Sequence, residues 1–136
     1  MNNEHLAEFD LNAEDVINFP EGVFGFENEH EFVILQDDEN PYIMILQSVN
    51  DVYPSFIVVD PFEVLDKYEP AVSNQDLQFF GDDAELKYLL IAVFATNLAD
   101  SVINLKCPIV IDTKTKKAKQ VILENDYPIR QQLFVS

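Results

Sequence analysis

The strongest constraint on the fold is a series of short strand-type runs: Phe32 to Leu35, Tyr42 to Leu46, Phe56 to Val59, Leu89 to Phe94, Ile109 to Ile111 and Val121 to Leu123. Each is rich in Val, Ile, Leu, Phe or Tyr and ends at turn residues, so none has the length or period of an amphipathic helix. Glu14 to Phe19 alternates in part and is a further candidate for the first strand. Three polar stretches join neighbouring runs at hairpin distance, DDENP from Asp37, NDVYPS from Asn50 and DTKTKKAK from Asp112. They predict three hairpins. Tyr88 to Ala95 is apolar without interruption, the pattern of a central strand buried on both faces.

One helix is written in local chemistry. Ser73 supplies a capping hydroxyl, Asp76 places a carboxylate near the free amides, Leu77 and Phe80 share a face, and Gly81 offers a stop. It is expected to lie over one end of the strands. A chain of 136 residues that is 48% hydrophobic can bury one core. The expectation is a single domain over 1–136: mainly β, a small antiparallel β-barrel-like fold with one or more short peripheral helices.

Charge limits the partners. The formal net charge is −17, and no lysine or arginine precedes Lys67. Such a surface repels nucleic-acid backbones and anionic membranes and attracts a basic protein. Half of the cationic residues, Lys114, Lys116, Lys117 and Lys119, crowd into one stretch that reads as a solvated hairpin tip. No apolar run approaches the roughly 20 residues of a membrane-spanning helix, and the opening MNNEHLAEFD has no basic leader character. The lone Cys107 sits in an apolar stretch and reads as a buried structural thiol in a reducing compartment.

Catalytic patterns are missing from the residue order. Gly22 and Gly25 of FPEGVFGFENEHEF, spanning Phe19 to Phe32, are followed by acidic residues instead of a helix start, so they do not make a phosphate cradle. No serine has a nucleophile-elbow setting. His5 and His30 lack partners at metal-ligand spacing. The adjacent acids Asp37, Asp38 and Glu39 lack the alternation and central glycine of a calcium loop. The chain therefore reads as a binding protein, with no enzyme activity, cofactor or metal expected. FPEGVFGFENEHEF itself reads as a turn leading into a strand, with Phe24 and Phe26 pointing either into the core or toward a partner.

Five phrases, FPEGVFGFE, ILQSV at Ile45 to Val49, VVDPFEVLDKYEP at Val58 to Pro70, INLKCPIVIDTKTKKAKQVILE at Ile103 to Glu124 and DYPIR at Asp126 to Arg130, occur in an order and spacing that resemble the flagellar assembly factor FliW family. The resemblance spans about Phe19 to Arg130. Departures are Val23 and Phe24 where the family commonly has Leu-Pro, and Cys107, Asp112 and Ala118 where it commonly has Ala, Asn and Gly. It implies a cytoplasmic, non-enzymatic regulator that binds the translational repressor CsrA outside its RNA site, relieves repression of flagellin synthesis, and is itself sequestered by flagellin. A chaperone dedicated to flagellin, without CsrA antagonism, is the alternative. A free monomer is expected. Candidate partner-binding residues are the acidic rim Glu27, Glu29, Asp37, Asp38 and Glu39, with Phe24, Phe26 or Tyr42 as apolar anchors.

Overall fold

The structure is a computed structural model that describes residues 13–36 and 38–133. Its strands are β1 (Ile17–Asn18), β2 (Glu31–Gln36), β3 (Ile43–Ser48), β4 (Ser55–Val59), β5 (Leu86–Val93), β6 (Val102–Ile103), β7 (Ile109–Asp112), β8 (Lys117–Gln120) and β9 (Gln131–Gln132). Two α-helices, α1 (Pro61–Val64) and α2 (Asn74–Phe80), stand between β4 and β5. The strands form one sheet in the order β4-β3-β2-β1-β8-β7-β5-β6-β9, and a further pairing of β4 with β5 closes seven of them into a ring. β6 and β9 continue the sheet beyond that ring. The β1–β8 pairing is parallel, Asn18 opposite Lys117, whereas the other pairings are antiparallel.

The barrel-like architecture follows from alternation. Ile17, Phe32, Met44, Leu46, Val58, Leu89, Ile109, Ile111 and Ala118 pack in one core to which all seven ring strands contribute. Successive strand side chains point to opposite faces, so residues two apart turn inward together. A second core lies on the outside, where Val59, Leu90, Ala92 and Val110 meet Tyr68, Ile103, Leu105, Val121 and Leu123. β5 serves both: Leu89 belongs to the inner core and its neighbour Leu90 to the outer, each completely buried. The uninterrupted apolar run thus marks a strand covered on both faces through Leu89 to Ala92, as expected, whereas Val93 at its end is exposed.

The three hairpins join β2 to β3, β3 to β4 and β7 to β8. The last is shorter than DTKTKKAK implies, because Lys117 to Gln120 is strand and the turn is confined to 113–116. Val121 to Leu123, expected as strand, follows β8 as extended chain instead. Its amides donate to the carbonyls of Pro108 (from Val121, 3.0 Å) and Lys106 (from Leu123, 2.9 Å). Of Glu14 to Phe19, only Ile17 and Asn18 are strand, preceded by a 3₁₀ turn at Ala13–Asp15.

α2 has the expected ends: the Ser73 hydroxyl accepts from the Asp76 amide, and Gly81 follows Phe80. It lies against the outside of β8, not over an end of the ring. Lys117 donates to the Phe79 carbonyl (2.9 Å) and Lys119 to Asp76 (2.9 Å), while both ammonium groups approach the face of the Phe79 ring. These two lysines are therefore clamps on a helix with no fully buried residue; only Lys114 and Lys116 belong to the hairpin tip. α1 was not legible: four residues cannot show a helical period, although Asp60 caps it by accepting from the Phe62 amide and Pro61 opens it.

The loop from Phe19 to His30 closes one end of the ring. Phe19 and Val23 are buried in the inner core, with the Phe19 ring edge-on to Phe32 at 5.1 Å between centroids. Gly22 has φ +72°, and a Cβ there would sit 2.6 Å from both the Glu27 Cα and the Phe26 carbonyl oxygen. Gly25 also has positive φ but open space around it. Gly22→Ala should accordingly lower stability by about 2–4 kcal/mol and Gly25→Ala by about 1 kcal/mol, measured as shifts in urea midpoints; equal costs would contradict the close approach at Gly22.

At the opposite end, buried Asp112 organises the β7–β8 turn by accepting from the amides of Lys114 (3.0 Å) and Glu85 (3.3 Å). Burial works to raise its pKa, but hydrogen bonds from Lys114, Glu85 and Thr115 outweigh it and hold the carboxyl below its ordinary value. A depressed carboxylate stabilises the fold above its unfolded pKa, and that contribution fades as pH falls through the folded value. Asp112→Asn should lower the melting temperature at neutral pH, with the difference from the unaltered chain narrowing below about pH 4. A pH-independent difference in thermal unfolding would show that charge is not the source.

Candidate functional site

The candidate residues occupy two loops at opposite ends of β2. Phe24, Phe26, Glu27 and Glu29 precede that strand; Asp38, Glu39 and Tyr42 follow it, and Asp37 lies outside the described residues. Six residues of strand separate the loops by about 17 Å. One partner touching both must run along the length of β2. The acids do not make a single rim.

The first loop is built for display on a fixed base. With Val23 turned inward, Phe24 is turned outward and is 48% exposed. Its amide donates to the side-chain oxygen of Gln120 on β8 (2.9 Å), so the loop is tied across the ring. Gln120 in turn donates to the Cys107 carbonyl (3.1 Å), which anchors the tie in buried structure. Phe26 is partly exposed, with its ring edge-on to Phe56 at 5.5 Å. It belongs half to the core margin and half to the surface. Val23 and Phe26 exchange backbone hydrogen bonds, making the tight turn that holds both phenylalanines.

The acids of this loop have structural duties. Glu27 accepts from the Gly25 amide (2.7 Å), and Glu29 accepts from the Ser48 hydroxyl (3.1 Å). The His30 Nδ1 lies 2.9 Å from the Phe19 carbonyl oxygen, which can only accept, so the ring donates there and tethers the loop. His5 lies outside the described residues.

Sequence reasoning missed Lys119. Its ammonium donates to Asp76 on α2 (2.9 Å) and pairs with Glu21 of the loop (3.4 Å), with only 19% of the side chain exposed. The hydrogen bond to Asp76 is the main cause of its raised pKa, and the Coulombic contributions of Asp76 and Glu21 add to it against the opposing effect of burial. One cation therefore fixes the loop and the helix to the same strand. It also missed Ile122, 58% exposed between buried Val121 and Leu123. The available signal was period two, since an extended apolar triplet must turn its middle member away from the face that buries its neighbours.

The second loop stands beside an apolar groove of about 400 Å³ formed by Tyr42, Ile43, Val59, Val64, Phe94 and Leu133, with Asn40 and Glu63 at its margin. Tyr42 is largely exposed there. Val52 and Tyr53 project from the β3–β4 turn, whose carbonyls at Asp51 and Val52 accept from the Gln47 side chain. Cys107 is buried, and burial pushes its thiol pKa up, which suits an inert structural role. Among the described residues, no group of three or more His, Cys, Asp or Glu side chains is arranged to hold a metal ion, and no helix is long and apolar enough to cross a membrane.

Comparison with known proteins places this architecture. The family model described as FliW protein matches residues 1–133. The flagellar assembly factor FliW of Geobacillus sp. (strain WCH70) is 35% identical over 135 residues, covering 96% of this chain and 92% of the relative. That of Oceanobacillus iheyensis is 32% identical over 124 residues, covering 90% and 84%. A solved crystal structure of the flagellar assembly factor FliW superposes with a TM-score of 0.83 at 31% identity, covering 93% of this chain and 90% of the other. The chain belongs to the FliW family of flagellar assembly factors.

Proposed function

We propose that this chain is a cytoplasmic, non-enzymatic regulator of flagellar assembly that binds and antagonises the translational repressor CsrA, relieves repression of flagellin synthesis, and is itself sequestered by flagellin. Family membership motivates the role. The observation that carries the partner choice is the charge: net −17, with no cation before Lys67. A repressor that holds RNA must present cationic surface, and an acidic protein meets it with complementary potential and an accelerated encounter. Anchoring needs apolar contact as well, and Phe24 at one end of β2 and Tyr42 at the other are exposed for it.

The alternative, a chaperone for flagellin alone, draws support from the groove beside Tyr42, whose lining is mainly apolar. Other apolar side chains on and beside the two helices divide: Leu65 and Phe80 pack into the outer core, Phe79 lies under Lys117, and Phe62 is exposed. Pull-down from a lysate lacking flagellin separates the readings, since recovery of CsrA supports the first and its absence the second.

Calorimetry with purified CsrA is expected to show binding that weakens about tenfold between roughly 50 and 300 mM salt. Neutralising Asp37, Asp38 and Glu39 together should weaken binding and flatten that salt dependence. Unchanged affinity at both salt concentrations would remove this loop from the interface.

A further inference from the structure

A cleft of about 430 Å³ opens where the Phe19 to His30 loop, the first turn of α2 and the exit of β8 meet. Its lining includes Glu21, Phe24, Glu27, Asp76, Lys119 and Ile122. Two of these are large exposed apolar side chains, Phe24 and Ile122, and both are set by backbone ties. The Phe24 amide is held by Gln120, and the amides flanking Ile122 on either side are held by Pro108 and Lys106. An occupant would meet walls already in place, which lowers the ordering cost of binding.

The charge of the cleft is unbalanced in one direction. Three carboxylates face one ammonium, and that ammonium is committed to Asp76 and Glu21. Glu27 uses one oxygen on the Gly25 amide and pairs with no cation among the described residues. A cationic group entering the cleft therefore finds Glu27 and the solvent-facing part of Glu21 available, beside the face or edge of an exposed phenylalanine. Guanidinium suits this setting better than ammonium, because its planar fork matches a carboxylate and stacks on an aromatic ring. The groove beside Tyr42 differs: among the described residues Glu63 is the one charged member of its lining, so it selects for apolar contact with little preference of sign.

We propose that the cleft binds a short extended protein segment in which an arginine stands next to an aliphatic residue, the aliphatic side chain lying between Phe24 and Ile122 and the guanidinium on Glu27 and Glu21. The inference rests on the reading that this chain works by binding a basic protein, and it assigns the point of contact for such a protein.

The test is a titration of the full ¹⁵N-labelled chain with the capped peptide Ac-Arg-Leu-Arg-NH₂, followed by amide chemical shifts. The controls are Ac-Glu-Leu-Glu-NH₂ and Ac-Arg-Gly-Arg-NH₂. Saturable shifts centred on Gly22, Phe24, Gly25, Glu27 and Ile122 are expected, with an affinity of about 1 mM and responses about tenfold weaker for either control. Glu27→Gln retains an oxygen for the Gly25 amide and should weaken binding about threefold to tenfold; Ile122→Ser, at an exposed position, should do the same without altering the rest of the spectrum. A response confined to the Tyr42 groove, an equal response to the glutamate peptide, or no response at about 10 mM peptide overturns the proposal. Calorimetry with CsrA keeps the two readings apart. Undiminished CsrA affinity in a Phe24→Ala, Ile122→Ser double variant overturns the cleft alone, whereas a normal peptide response in a chain that does not bind CsrA upholds the cleft and overturns CsrA antagonism.

Discussion

Everything in this fold hangs on β5 being wanted from both sides. Leu89 and Leu90 are adjacent and completely buried, which a strand permits only if each of its faces has its own apolar cover. The inner cover is the ring itself; the outer cover is supplied by chain that follows or interrupts the strands, notably Tyr68, Leu105, Val121 and Leu123. The Tyr68 hydroxyl, donating to the Leu105 carbonyl (2.9 Å), fastens two of those covering segments to each other. Burial raises the Tyr68 pKa further, so the hydroxyl keeps its proton. Without the outer layer, a closed ring of this size would expose half of its most hydrophobic strand to water.

The parts of the structure that could be read from sequence are those determined by neighbours in the chain. The cap at Ser73, the stop at Gly81 and the three hairpins depend on residues a few positions apart, and they appear where local chemistry puts them. The register of β8 was hidden for the opposite reason. Lys117 and Lys119 look like loop residues until α2 is brought to them; then their ammonium groups find Phe79 and Asp76, and strand becomes compatible with lysine. The parallel joint between β1 and β8 was equally invisible, because it pairs residues about a hundred positions apart and rests on the single pair Asn18 and Lys117 in a two-residue strand.

The candidate surface shows the same division. That Phe24 and Phe26 share one turn was legible from the two glycines between and before them, but which way each ring points was decided by Val23 and Phe56. The strand run Phe32 to Leu35 already stands between Glu27 and Asp38 in the chain, so their separation at opposite ends of β2 was legible; which strands and helices flank each loop was not, because that is topology. Charge composition identifies the sign of a partner, whereas Lys119 and Ile122 enter the picture only through tertiary contact.

The loop from Phe19 to His30 joins two duties in one short segment. Val23 stops one end of the ring while its neighbour Phe24 faces outward, and Gly22 leaves the backbone no room to redistribute the turn. Evolution can therefore alter what this loop shows to the outside only through side chains, not by lengthening, shortening or re-threading it. Diversification among relatives should appear at Phe24 and Ile122 as changes of size and polarity on a conserved frame, so that new specificities are reached by small steps without the fold being renegotiated.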